Sequence, residues 1–465
     1  MSEATSEAKG LWAPEHRALT VGLFLTITFV ASEALAIAPA LPVVRRELGG
    51  LALYGFVFSG FMLGSLVGTV LAGREADRRG PTPPFVAGVG LFIVGLVVGG
   101  LAPSMEVLVF GRMLQGFGAG AVPAVAYASI GRSLPERLRP RMLAMLSTAW
   151  VLPGLFAPAV SAVVVRHFGW RWIFLGLVPF VALAAALALP GLLRLKAVLG
   201  SERALTRWQD AVLTAVGVGL FLAGLTSYRL VGGLAVVAGV AIGLPALRRL
   251  VPPGTLTAQP GLPAAILARG LLTFLFFGVD SYVPLAVQDV RHYSPTLTGL
   301  AITASALLWS GGSWVQAHLA ATRDPRLLVR TGTSLVLMGV AGVTLALRGD
   351  VPVSMFVIAW GVAGLGMGLA YGPITLLVLR DAAPGHEGTT SASLTLFDTL
   401  GWAVGAGLAG AVITAADASG HSLASGVAVA FAVAGAAGVL LLFVTPRLAG
   451  QRSSSSSSSS RSGMP

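Results

Sequence analysis

The stretch FVASEALAIAPALP, Phe29 to Pro42, decides how this chain is read. It completes an apolar run that begins near Ala18, and it sets one carboxylate, Glu33, among residues that otherwise avoid water. A run of about 20 such residues is long enough to cross a ~30 Å hydrocarbon layer as a helix. An ionisable group at that depth costs free energy, which makes it a candidate for function and calls for a partner.

The rest of the chain follows the same pattern. Of its 465 residues, 55% are hydrophobic and only 11% are charged, and the mean hydropathy is +0.83. Soluble domains carry roughly 25% charged residues, so the composition points to an integral membrane protein. Apolar runs fall at 18–42, 51–72, 84–102, 106–131, 141–165, 170–192, 208–228, 230–247, 262–288, 296–319, 327–347, 352–379, 389–415 and 422–445. Hydrocarbon offers no partner to backbone N–H and C=O groups, so each run is expected to be a helix. The expected fold is all-α, with fourteen transmembrane helices. The SYRLVGG segment between the seventh and eighth runs reads as a turn, or as a kink in one long helix.

The basic residues set the orientation. With both termini in the cytoplasm, 22 of the 31 arginines and lysines fall in inner segments and 7 in outer ones, while Arg112 and Arg269 lie within or at the edge of spans. That bias is the expected one for a multi-pass protein of the cell membrane with cytoplasmic termini. It also accounts for the net charge of +12 without a nucleic-acid partner. The charged connector RLKAVLGSERALTRW, Arg194 to Trp208, divides the chain. The expected organisation is a cytoplasmic segment (1–17), a six-helix bundle (18–192), a linker and two-helix insert (193–261), a second six-helix bundle (262–445) and a disordered Ser-rich cytoplasmic tail (446–465).

Several chemistries find no support. There is no cysteine, so there is no disulfide framework and no thiolate metal site. The six histidines are scattered and lack metal-ligand spacing. A Walker A sequence is absent, which argues against ATP-driven transport by this chain. No cofactor is expected beyond a proton as coupling ion, no metal, and no catalytic residue. A monomer in the lipid bilayer is the expected state.

Two motifs are more specific. GREADRRG, Gly73 to Gly80, reads as a tight charged turn in which Gly73 and Gly80 permit close approach and a positive-φ cap, while Asp77 and Arg78 can bridge helix ends. The fourth run holds GRMLQGFGAGAVPA, with Arg112, Gln115, Gly116 and Gly118. The first pattern resembles motif A of the major facilitator superfamily, and the second resembles motif B of its proton-coupled drug exporters. Glu33 followed by Ala40-Leu41-Pro42 is similar to a signature of the fourteen-helix exporters. GWRWIF (Gly169 to Phe174) and YVPLAVQDV (Tyr282 to Val290) match elements of the same group. The fifth run departs from the group's pattern, with Ala157-Pro158 and Ser161-Ala162 where the family has Gly-Pro and a glycine pair. The resemblance implies two six-helix bundles related by a pseudo-twofold axis with a two-helix insert between them, alternating access, and gating by Gly73, Asp77, Arg78 and Gly80.

Counting along the helices places the acids. Glu33 lies roughly 13 Å, Asp280 roughly 12 Å and Arg112 roughly 9 Å below the outer surface at 1.5 Å per residue. Glu33 and Arg112 are thus expected to meet, and Glu33 and Asp280 to face one another across a central cavity. Asp398, in TLFDTLGW, lies nearer the cytoplasmic half. Burial favours the neutral form of a carboxyl group and a nearby arginine favours the ionised form. That opposition suits a group that binds and releases a proton as access switches. Glu33, Arg112, Asp280 and Asp398 are therefore candidates for proton coupling and substrate binding, with a purely structural ion pair as the alternative for Glu33. Trp309, Trp314 and Phe397 are read first as packing and second as cavity lining. The expected function is proton-driven export of hydrophobic or amphiphilic small molecules, apolar or cationic. The alternatives are a lipid or metabolite porter of the same fold without strict proton antiport and, from another class, a non-transporting sensor or membrane enzyme.

Overall fold

The computed structural model describes residues 11–133, 138–195, 208–227, 229–320, 322–382 and 387–448. Most of the expected N-terminal segment, much of the linker after the sixth run and nearly all of the Ser-rich tail lie outside these residues. The long helices are α1 (Pro14–Leu48), α2 (Tyr54–Arg79), α3 (Thr82–Gly100), α4 (Met105–Ser133), α5 (Arg139–Phe168), α6 (Val178–Leu193), α7 (Trp208–Thr226) and α8 (Arg229–Leu250). They continue with α9 (Leu262–Asp280), α10 (Pro295–Leu319), α11 (Pro325–Leu345), α12 (Ser354–Arg380), α13 (Glu387–Ala418) and α14 (Leu423–Val444).

Among the described residues, 12 helices are long and apolar enough to cross a membrane. The expectation of fourteen spans is met only in part. Helix α5 opens on Arg139 and Arg141, and α10 is diluted by Thr, Ser, Gly, Gln and His, so neither reaches the apolar content of the others. Many helices run past their apolar runs. The GREADRRG segment is not a turn: Gly73 to Arg79 form the last two turns of α2, and only Gly80 leaves the helix, at φ 88°. A helix tolerates charged residues once it emerges from the apolar layer, so hydropathy alone stops the element too early. At SYRLVGG, in contrast, two separate helices meet, α7 ending at Thr226 and α8 beginning at Arg229. Helices α7 and α8 pack antiparallel with Gly217 against Gly243 and Gly224 against Gly232, where a side-chain carbon would strike backbone.

Helices α1–α6 pack together through α2–α4, α3–α4, α1–α5 and α1–α6, and α9–α14 do so through α10–α12, α11–α12, α9–α13 and α9–α14. The second helix of each set meets the fifth helix of the other, α2 against α13 and α5 against α10. That reciprocal exchange is what a twofold relation between two six-helix sets produces. Helix α7 lies against both α2 and α13, alongside the seam. Large apolar side chains point outward, among them Leu230, Val231, Met338 and Phe443, each more than 60% exposed. A water-soluble protein would bury such residues, whereas lipid tails accept them.

At the end of the molecule where α1 finishes, here the far end, polar and aromatic contacts cross the seam. There Arg45 donates to Asp289 at 2.9 Å, Arg46 also pairs with Asp289, and Gln288 donates to the Pro39 carbonyl at 2.8 Å. The Tyr282 hydroxyl donates to the Ala406 carbonyl at 2.9 Å, and its ring lies 5.2 Å from that of Tyr54. Residues 283–290, which continue α9, carry this contact through a short α-turn and a π-helical turn, Ala286–Val290. At the same end α5 meets α10, with Gly299 against Pro158, Ala159 and Ala162. The small residues of the fifth run therefore serve the seam itself.

Candidate functional site

Glu33 and Arg112 meet in the interior, as their depths imply. Both are fully buried, at 0% and 1% exposure, and the Arg112 guanidinium donates to Glu33 Oε1 through Nη1. The same nitrogen donates to Gln115 Oε1, Nε donates to the Val57 carbonyl at 3.1 Å, and the guanidinium carbon lies 4.2 Å above the Phe61 ring. Gln115 in turn donates to the Gly95 carbonyl at 2.9 Å. One arginine thus ties α1, α2, α3 and α4 together. A charge buried this way is tolerable because it is paired and hydrogen-bonded. Glu33 Oε2 is the exception, a buried oxygen without a hydrogen-bond partner.

The geometry around Arg112 depends on glycine. At Gly116 a side-chain carbon would collide with the Phe61 carbonyl, at Gly118 with the Gly88 carbonyl and Phe92, and at Gly120 with the Ser65 carbonyl. Facing them, Gly64 and Gly68 lie against the backbone at Met113 and Phe117. Close backbone approach of this kind is how membrane helices gain packing without a hydrophobic driving force. It brings α4 near enough for Arg112 to reach across to α1.

The second set of helices holds a different arrangement. Asp280 accepts a hydrogen bond from Trp360 Nε1 at 2.7 Å. Its partner comes from its own set of helices, as that of Glu33 does. Trp360 is fully buried and stacks on Phe276 at 4.9 Å. Deeper along α9, Arg269 is 2% exposed, stacks on the Tyr371 ring at 3.3 Å and bonds to Thr375. Its acidic partner is Asp398, at 3.8 Å, which is wider than a hydrogen bond. Tyr371 donates to the other Asp398 oxygen at 3.1 Å. Arg269 Nε and Nη1 and Asp398 Oδ1 are left without hydrogen-bond partners, and Asp398 is 31% exposed.

Aromatic rings fill the space between the two acids of this half. Phe277 stacks on Trp402 at 4.0 Å, and Trp309 lies 5.4 Å from Phe276 and 5.5 Å from Tyr371. Trp402 Nε1 has no partner. Trp309 belongs to this cluster. Trp314, five residues on, is 71% exposed on the outside of the bundle, and Phe397 packs on Gly270. Tyr371, Trp360, Trp402 and the pairing of Arg269 were not legible in the sequence. A signal existed only for the tryptophans of α10, since five residues turn a helix by about 140° and put Trp309 and Trp314 on opposite faces.

At the near end, the last turns of α2 carry a Glu75–Arg79 ion pair at 2.9 Å, and Arg74 lies 5.0 Å over the Trp208 ring of α7. Gly80 caps α2 by donating to the Ala76 carbonyl at 3.0 Å. Gly73 has open space around it, so close packing does not explain that glycine. Arg78 is exposed, and Asp77 is half-buried. Among the described residues, no group of three or more His, Cys, Asp or Glu could hold a metal ion.

Comparison with known proteins agrees with this architecture. The family model of the Major Facilitator Superfamily matches residues 19–406, and the chain belongs to that family of membrane transporters. It is 28% identical to a Mycobacterium tuberculosis protein described as a probable multidrug-efflux transporter, over 95% of this chain and 97% of that one. It is 27% identical to the methylenomycin A resistance protein of Streptomyces coelicolor, over 83% and 82% of the two chains. In fold it matches the partially occluded, inward-open xylose transporter of E. coli with a TM-score of 0.63 at 13% identity, covering 94% of this chain and 98% of that one. An auto-inhibited peptide transporter of the POT family matches with a TM-score of 0.67 at 17% identity, over 92% and 98%.

Proposed function

We propose that the chain is a fourteen-helix, proton-driven exporter of hydrophobic or amphiphilic small molecules, working by alternating access in the plasma membrane. In this reading α5 and α10 complete the fourteen spans, and the near end, with both termini, is cytoplasmic. The division into bundles 18–192 and 262–445 around the insert 193–261 follows. The far-end seam is then the closed outer gate of an inward-facing state, and Gly73, Asp77, Arg78 and Gly80 belong to the inner one. Efflux and resistance functions named for the relatives support the direction and the substrate class.

The observation that carries the proton reading is Glu33, a buried carboxylate with one oxygen on Arg112 and the other free. The free oxygen can take a proton without dismantling the network. Asp398, wetter and loosely paired, is the complementary candidate for meeting substrate beside the aromatic cluster. A lipid or metabolite porter without strict proton antiport is the second reading, favoured by the departure of the fifth run, where Ser161 donates its hydroxyl to the Ala36 carbonyl of α1.

Proteoliposomes with and without an imposed pH gradient, tested over dyes, antibiotics and lipids, discriminate the two. Glu33→Gln is expected to abolish gradient-driven accumulation while exchange down the substrate's own gradient continues. Glu33→Gln strands Arg112 and lowers stability in either reading, but if Glu33 is only a packing partner, Arg112→Gln added to it restores both stability and transport. That rescue would remove the proton role.

A further inference from the structure

The far end contains a cavity of about 420 Å³ lined by Arg45, Arg46, Gln288, Asp289, His292 and Tyr293. Its charges do not balance, because two arginines face one carboxylate. Each arginine uses one N–H on Asp289. A guanidinium carries five such donors in a planar fork, so most of each fork remains for the cavity. Gln288 is 3% exposed; its amide nitrogen is used by Pro39 and Thr298, and its Oε1 has no partner. His292, at φ 57°, holds a left-handed conformation that non-glycine residues rarely adopt. Such strain persists where surroundings enforce it, and it clusters at binding sites.

We propose that this cavity binds a phosphate-bearing anion held across the seam, with Arg45 and Arg46 contributed by α1, Gln288 by the α9 extension, and His292 and Tyr293 by the loop that follows it. Paired arginine forks match the oxygens of a phosphate. The volume falls in the ordinary range for ligand pockets, and both free phosphate and a lipid headgroup carry the group it would hold. An anion touching both sides of the seam binds only while the seam is closed, so it shifts the population toward that state. The inference is independent of what the chain transports.

The test uses the full chain in nanodiscs. The protein has no cysteine, so Glu106→Cys and Ser419→Cys place a spin-label pair on exposed far-end positions of the two halves. In pure phosphatidylcholine discs, inorganic phosphate but not chloride at matched ionic strength should raise the unfolding temperature saturably and narrow the label distances toward the closed value. If a headgroup is the natural source, discs containing phosphatidylglycerol show both effects without added phosphate, and titrated phosphate then adds nothing. Arg46→Gln and His292→Ala should each weaken binding by about tenfold, as removal of one charge-assisted hydrogen bond does. His292→Ala leaves the Arg45–Asp289 and Arg46–Asp289 pairs intact, so it remains decisive if Arg46→Gln folds poorly. Phosphate and phosphatidylglycerol acting no differently from chloride, or effects that survive His292→Ala unchanged, would overturn the proposal.

Discussion

The two halves each bury an arginine and an acid, but they do so differently. Around Arg112 nearly every donor and acceptor is matched, the groups are dry, and four helices converge. Around Arg269 the ion pair is open to 3.8 Å, three polar atoms of the pair lack hydrogen bonds and the acid is partly exposed. A saturated network fixes a structure, because every member loses something if one is removed. An unsaturated one is ready to accept a ligand, water or proton. The first half has the geometry of a clamp with one free oxygen, and the second half that of a receptive site lined by rings.

The largest expected effect tests that contrast directly. Removing one partner of a dry buried pair costs ~3–5 kcal/mol, so Arg112→Gln should strongly lower thermal stability in detergent. Arg269→Gln should cost less, since its ion pair is already open to 3.8 Å and its acid is partly exposed. Equal losses in the two unfolding curves would erase the distinction. Next in size is Asp398→Asn. It keeps an acceptor for Tyr371 and should weaken half-saturation for a cationic dye by about tenfold, or ~1.4 kcal/mol. An unchanged half-saturation would take substrate binding away from that acid.

A smaller effect is expected at the near end of the first half. Asp77→Asn should slow turnover in proteoliposomes more than it changes substrate affinity, because a group that holds one state acts by differential contacts. A loss of affinity at constant rate would contradict the gating reading. The smallest effect is expected at Trp314, and the other tryptophan of α10 provides the contrast. Trp314→Leu, on the outer surface, should stay within about 0.5 kcal/mol in thermal unfolding. Trp309→Leu should cost about 0.5–1.5 kcal/mol for each aromatic pair it removes.

The first half was more legible in sequence than the second, for a physical reason. Glu33 and Arg112 could be matched by counting residues from one surface, since depth is a linear property of a helix. Arg269 shares its helix with Asp280, which directs attention to the wrong acid. Its true neighbours, Asp398 and Tyr371, come from α13 and α12, and which faces of those helices turn inward is decided by packing. Trp360 reached Asp280 in the same unannounced way. The apolar runs located the helices, because bilayer thickness imposes a length. They misplaced the end of α2, because nothing in hydropathy separates a charged turn from a charged helix end.

The glycine seam between α2 and α4 has a consequence for how this protein can change over generations. Any side chain at Gly64, Gly68, Gly116 or Gly120 would meet backbone rather than a movable neighbour, and backbone cannot be repacked. On the proposed function, inherited variation that alters what is transported is therefore channelled to residues such as Trp309, Trp402 and Tyr371, while this seam stays constant across descendants that keep the fold.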